Sequence, residues 1–106
     1  MKTYELNLWN NTYKVVLNGM HYVHGNRLAI QMDLEDGEPF ATITVNLPDD
    51  EVTSFNANFV DINNCPWAVE FLIRNNIAEP TGNIAFSGFC VYPEFEFDLS
   101  KINMLD

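Results

Sequence analysis

Hydrophobic residues recur with two different periods along this chain, and most of the chain follows the shorter one. Apolar and polar residues alternate in several short runs, which predicts β-strands that bury one face. A clear run is Leu28, Ile30 and Met32, which alternate with Ala29, Gln31 and Asp33. A similar run follows residue 38, so the pattern predicts a sheet built largely from antiparallel hairpins.

Short polar or glycine-containing segments predict where these strands reverse. In chain order the predicted turns are Asn10-Asn11, Asn18-Gly19, Gly25-Asn26, Glu35 to Glu38, and Glu79 to Gly82. Asn-Gly is the strongest two-residue hairpin signal, so we expect a reversal at residues 18 and 19. Pro93 lacks an N–H group and predicts a break between two strands in the segment from 84 to 99.

One stretch follows the helical period instead. From residue 67 onward, apolar side chains recur at four-residue spacing, as in Trp67 with Phe71, and Glu70 precedes Arg74 by the same interval. Acceptors before Pro66 suit the first turn of a helix, and the pair Asn75-Asn76 suits its end because Asn tolerates the left-handed conformation. The pattern predicts one main α-helix over about residues 65–76.

These elements together predict the fold. We expect a single α+β domain over residues 1–106, in which an antiparallel sheet of about five to seven strands packs on the one main helix. The length of 106 residues allows one domain with a real core. The predicted core residues are Trp67, Phe71, Leu72, Phe95 and Phe97.

Composition and charge narrow the range of partners. Apolar residues make up 47% of the chain, and the formal net charge is −10. So much negative charge opposes direct binding to nucleic acid or to an anionic membrane surface, and it favours a basic protein partner. The first residues lack the apolar core of a signal peptide, no apolar run is long enough to span a membrane, and two cysteines fit a reducing compartment. We therefore expect a cytoplasmic protein, and the oligomeric state stays open.

Cys65 is the most reactive candidate for catalysis, because a thiol at a helix N-terminus can have a lowered pKa. A nucleophile of this kind also needs a base, and the sequence places neither His21 nor His24 near it. The same two histidines with Cys65 and Cys90 offer four ligands of the types that zinc prefers, but their spacing does not resemble a zinc motif. The sequence favours buried, inert cysteines, and we expect no metal and no cofactor.

Carboxylates are the more specific feature. Glu94, Glu96 and Asp98 alternate with apolar residues, so they are expected on one exposed strand face at spacings of roughly 6.6–6.8 Å. That spacing is close to the spacing of phosphates along a nucleic-acid strand. A second acidic group comprises Asp33, Glu35, Asp36 and Glu38, and we assign both groups as candidate partner-binding residues. The alternative interpretation is that these acids serve solubility alone.

Several short motifs resemble a known protein family over about residues 27–102. They are Glu38 to Leu47, Phe59-Val60-Asp61 with Asn63 to Ala68, Glu79 to Gly82, and Ser87 to Pro93 with Phe95 and Phe97. In combination they resemble a small family of uncharacterised proteins encoded on conjugative transposons, plasmids and phages of Firmicutes and relatives. The resemblance implies a mobile-element context, and it implies no activity or catalytic residue.

The expected function is that of a non-catalytic, acidic protein–protein interaction module. In its sharpest form this is a nucleic-acid mimic that inhibits a basic host defence nuclease of the restriction or CRISPR type. The first alternative is an accessory protein of element transfer or maintenance, which binds through an edge strand or an aromatic patch. The second alternative is a thiol-dependent enzyme centred on Cys65.

Overall fold

A computed structural model describes residues 2–23 and 25–106, and within them the chain forms nine β-strands and one short α-helix. The strands are β1 (Tyr4–Leu8), β2 (Asn11–His21), β3 (Leu28–Leu34), β4 (Pro39–Thr42), β5 (Thr44–Val45), β6 (Ala57–Val60), β7 (Ala78–Ser87), β8 (Cys90–Phe97) and β9 (Asn103–Met104). The helix α1 spans Ala68–Arg74, and a 3₁₀ turn spans Leu99–Lys101. The described residues contain no helix long and apolar enough to cross a membrane.

The strands form two sheets rather than the single predicted sheet. The first has five strands in the order β1-β2-β3-β4, with β9 also pairing with β2, and the second has four in the order β5-β6-β8-β7. All pairings are antiparallel except that of β2 with β9. The fold is therefore mostly antiparallel sheet with one minor helix.

Ile43 joins the two sheets. Its N–H donates to the carbonyl of Ile30 in β3 at 2.9 Å, and its carbonyl accepts from Asp61, which follows β6, at 2.8 Å. The alternation predicted for the run after residue 38 ends at this point, because Ile43 and Thr44 are both buried although they are neighbours. Where the chain crosses from one sheet to the other, consecutive side chains can both be buried, because one sheet covers each side of the chain.

The predicted turn at Asn18-Gly19 is wrong, because β2 continues straight through both residues. Gly19 is buried there, and a Cβ atom at this position would lie 2.6 Å from the Met104 sulfur of β9 and 3.0 Å from a methyl group of Ile102. The glycine thus allows a distant strand to approach closely and does not serve a turn. The other predicted turns before residue 40 lie close to observed ones, at Trp9-Asn10, Gly25-Asn26 and the segment 35–38.

The predicted turn from Glu79 to Gly82 is also wrong, because it lies inside β7. Gly82 does adopt a positive φ of 91°, but it does so within a strand irregularity between Pro80 and Ile84. The chain reverses instead at Gly88-Phe89, and Pro93 lies within β8 opposite Ile84. The predicted break at Pro93 is therefore absent.

Helix α1 is shorter than the predicted span of 65–76. Cys65 and Pro66 belong to the turns before it, and Asp61 accepts from the Asn64 N–H in those turns rather than capping the helix. The C-terminal prediction is confirmed in detail, because Asn76 has a φ of 55° and Ile77 N–H donates to the carbonyl of Leu72 at 2.9 Å. This is the hydrogen-bond pattern of a Schellman motif.

The main core lies between the first sheet, α1 and the inner side chains of β8. Four of the five predicted core residues, Phe71, Leu72, Phe95 and Phe97, are buried in it. Trp67 is only half-buried at its edge, where its ring meets the Phe40 ring edge-on at a centroid distance of 6.0 Å.

Candidate functional site

Glu94 does not belong to an exposed acidic row. It is 0% exposed, because the loop before β6 lies over it. The N–H and hydroxyl of Thr53 donate to its carboxylate at 2.9 and 2.5 Å, and the Thr81 hydroxyl donates to it at 2.5 Å. Burial raises the pKa of this carboxyl, but these hydrogen bonds together outweigh burial and lower the pKa. The expectation of three exposed carboxylates on β8 is therefore wrong for Glu94, which ties a loop to two strands.

The other two members of that predicted row are exposed but serve local contacts. Glu96 accepts from the Ser54 hydroxyl at 2.7 Å. Asp98 accepts from the hydroxyl and the N–H of Ser100, and these two hydrogen bonds lower the pKa of Asp98. Glu79 lies directly opposite Glu96 across β7 and β8, an acidic neighbour that sequence reasoning had not paired with it.

The second predicted acidic group lies at the end of the β3–β4 hairpin. Three of its members, Glu35, Asp36 and Glu38, are exposed, and we call them the acidic tip. Asp36 accepts from the Glu38 N–H at 2.9 Å, which shapes the turn. The fourth member, Asp33, is half-buried and accepts from the Asn18 side chain at 2.6 Å. The structure therefore brings three of the seven predicted site residues together in the acidic tip.

Three aromatic rings lie beside the acidic tip, and we call Trp9, Tyr13 and Phe40 the aromatic patch. Phe40 follows the tip by two residues, and its ring centroid lies 5.4 Å from that of Tyr13 and 6.4 Å from that of Trp9. The Glu35 N–H donates to the Lys14 carbonyl at 3.0 Å, which fixes the tip against the strand that carries Tyr13. Phe40 thus connects the acidic tip along the chain to the rings of Tyr13 and Trp9.

Trp9 is the least expected residue of this surface. It is 71% exposed and has a φ of 54° in the two-residue turn between β1 and β2. A bulky residue at positive φ is an outlier, and such strain is retained most often at functional positions. Sequence reasoning missed Trp9 because it placed the turn at Asn10-Asn11, one residue later than the observed turn.

The environment of Cys65 opposes a reactive thiol. Its side chain is buried, donates to the Thr42 carbonyl at 3.5 Å, and lies before α1 rather than in its first turn. Burial raises the pKa of this thiol, and the negative charge of Asp61 raises it further. A raised pKa disfavours the thiolate that nucleophilic chemistry requires.

Three of the four zinc candidates, His21, Cys65 and Cys90, lie among residues 2–23 and 25–106, and no metal-binding cluster forms there. Cys65 is buried, Cys90 lies beside the β7–β8 turn, and both are free thiols. His21 contacts the Asp106 carboxylate at 3.2 Å. His24 lies outside the described residues.

Few of the acids are neutralised within the protein. In the part of the chain that the structure describes, Arg74 pairs with Glu70 at 2.7 Å, and a ring nitrogen of His21 lies 3.2 Å from the Asp106 carboxylate. None of the acidic-tip carboxylates forms an ion pair within these described residues.

The fold and these surfaces define a small two-sheet β protein with an exposed acidic and aromatic surface. The chain belongs to the family described as domain of unknown function DUF4313, whose model matches residues 16–106. The match includes the acidic tip and Phe40, while Trp9 and Tyr13 precede it. No curated protein and no solved structure matches the chain.

Proposed function

We propose that this protein is a non-catalytic interaction module that binds a basic segment of a partner protein. Trp9 is the observation that carries the proposal, because its exposed indole at a strained turn lies near Phe40, which follows the acidic tip by two residues. An Arg side chain that stacks on an indole gains cation–π energy, and nearby carboxylates add charge-assisted hydrogen bonds. The aromatic patch and the acidic tip together offer both contacts.

In its sharpest form, we propose that the partner is a nucleic-acid-binding defence nuclease of a host that carries the mobile element. The net charge of −10 supports this form, because a basic DNA-binding cleft attracts such a protein as it attracts DNA. The acidic tip supports it more strongly than the predicted row of Glu94, Glu96 and Asp98, since Glu94 is buried and Asp98 accepts hydrogen bonds from Ser100.

The test is calorimetric titration with an Arg-rich peptide. In one variant the acidic tip is neutralised by Glu35→Gln, Asp36→Asn and Glu38→Gln. In the matched control the same number of acids is neutralised elsewhere, by Asp49→Asn, Asp50→Asn and Glu51→Gln. Neutralising three acids brings the net charge from −10 to −7 in both proteins, so any difference between them reports the position of the charge.

We expect the tip variant to lose about tenfold in affinity and the control to lose clearly less, because close charges contribute more than distant screened ones. Equal losses in both variants would mean that net charge alone attracts the peptide, and the proposed site would be wrong. For the sharpest form, a purified restriction nuclease serves as the probe. Inhibition that excess DNA relieves is the expected result, and inhibition that is indifferent to DNA would contradict mimicry.

A further inference from the structure

The β7–β8 hairpin differs in charge from the rest of the chain. From Pro80 to Pro93 the sequence contains no charged residue, although the chain as a whole has a net charge of −10. We call residues 84–93 the neutral hairpin. Its exposed apolar side chains are Ile84, Phe86, Phe89 and Val91. Ile84 and Phe86 are two residues apart and so share one face of β7, and Val91 lies directly opposite Phe86.

Strand β7 is also a sheet edge, and its first part carries the protective residues Glu79 and Pro80 while its second part does not. It ends the order β5-β6-β8-β7 and pairs only with β8 among the described residues. Exposed edges are usually blunted by charge, proline or short length. Glu5 lies in the edge strand β1, β4 begins at Pro39, and β5 has only two residues. The segment from Ile84 to Ser87 has none of these features.

In the segment from Ile84 to Ser87, the open backbone groups belong to Ile84 and Phe86. Bonded and non-bonded pairs alternate along an antiparallel ladder, and Pro93 opposite Ile84 has no N–H to donate. Ile84 and Phe86 therefore occupy non-bonded positions toward β8, while Ala85 occupies a bonded one. It follows that the N–H and C=O groups of Ile84 and Phe86 point away from β8, out of the sheet.

We propose that this edge pairs with the same edge of a second copy of the chain. Antiparallel pairing about a two-fold axis at Ala85 places Ile84 of one copy opposite Phe86 of the other, and the reverse. Both residues then form bonded pairs through their open backbone groups, and their side chains form Ile–Phe cross-strand pairs on the exposed face. The two four-stranded sheets become one continuous sheet.

A second copy fits this surface better than a basic partner does. The hairpin offers no carboxylate to a cation, and two acidic proteins repel each other least where neither carries charge. The edge also offers a self-complementary set of contacts. Phe86 is 65% exposed and Ile84 is 50% exposed. Each copy therefore brings one aromatic and one branched apolar side chain to the pair, and the open backbone groups add hydrogen bonds across it.

The test compares two isoleucines of equal exposure. Ile84 is 50% exposed on β7 and Ile73 is 49% exposed on α1. Sedimentation equilibrium of the wild type, Ile84→Lys and Ile73→Lys should show a wild-type dimer, at least tenfold weaker association for Ile84→Lys, and no change for Ile73→Lys. A monomeric wild type at all concentrations would overturn the proposal, and so would equal effects of the two substitutions.

Amide hydrogen exchange tests the register without any substitution. As the protein concentration rises, the amides of Ile84 and Phe86 should exchange more slowly, because they become bonded only in the dimer. The Ala85 amide is already bonded to β8 and should change little. A dimer in which Ile84 and Phe86 gain no protection would contradict pairing through β7.

Discussion

The β3–β4 hairpin and the β7–β8 hairpin differ in the charge of the residues at their turns. The first turns through Glu35, Asp36 and Glu38, whereas the second turns through Gly88-Phe89 within a charge-free segment. Both present exposed side chains to solvent, but only the first attracts cations at a distance. Under the two proposals made above, these hairpins are two interaction surfaces with different partners, rather than parts of one acidic surface.

The largest expected effect concerns the attachment of β7, the strand that carries the neutral hairpin. Glu94→Ala removes the acceptor for Thr53 and Thr81, and we expect it to lower the free energy of unfolding by about 2–3 kcal/mol. The matched control is Glu96→Ala on the same strand, where an exposed carboxylate is lost and the change should stay within about 0.5 kcal/mol. Urea denaturation measures both, and similar losses would contradict the role assigned to Glu94.

The same carboxylate predicts a pH dependence. Hydrogen bonds lower the pKa of Glu94 in the folded protein below the ordinary value of 4.5. The stability that Glu94 contributes is therefore complete above pH 4.5 and is lost as the pH falls through the lowered pKa. In denaturation series from neutral to acidic pH, Glu94→Gln should lose less stability than the wild type. Parallel pH profiles of the two proteins would contradict this assignment.

The aromatic patch is expected to affect binding more than stability. Trp9→Gly removes the strain of a bulky residue at a φ of 54°, and it also removes the ring contact with Phe40. These two effects oppose each other, so the free energy of unfolding should change by less than about 1 kcal/mol. Affinity for the Arg-rich peptide should nevertheless fall severalfold. A stable Trp9→Gly protein with full affinity would remove Trp9 from the proposed site.

The smallest expected effect concerns Phe89, at the turn of the neutral hairpin. Its side chain is fully exposed and lies outside the predicted Ile84–Phe86 pairing. Phe89→Ser should leave the unfolding free energy within about 0.5 kcal/mol of the wild type, and it should weaken self-association less than Ile84→Lys does. Sedimentation equilibrium checks this order, and the reverse order would place the interface at the turn instead of the edge.

Local sequence rules predicted the parts of the fold that depend on neighbouring residues. Asn76 ends α1 in the left-handed conformation, Glu70 pairs with Arg74, and the acidic tip forms a turn. The errors arose where distant segments meet. Asn18-Gly19 has the composition of a hairpin turn. Gly19 instead packs against β9, a strand that lies more than 80 residues later in the chain.

For the candidate site, too, sequence reasoning predicted what neighbouring residues determine and missed what distant segments determine. Alternation correctly placed Glu94 on the face of β8 opposite Phe95, but it did not reveal that a loop covers that face. The exposed acids of the tip were predicted, because a short acidic turn between two strands lies at the protein surface. Trp9 was missed, since its role depends on a backbone conformation that its residue type disfavours.

The response of both surfaces to salt tests the central claim most directly. Self-association and binding of the Arg-rich peptide are measured on the same protein at low and at high ionic strength. The account predicts opposite changes: the peptide binds more weakly at high salt because attraction is screened, and the dimer forms more readily because repulsion between acidic copies is screened. If both associations weaken together as salt rises, the acidic surface mediates both, and the separation of the two surfaces is wrong.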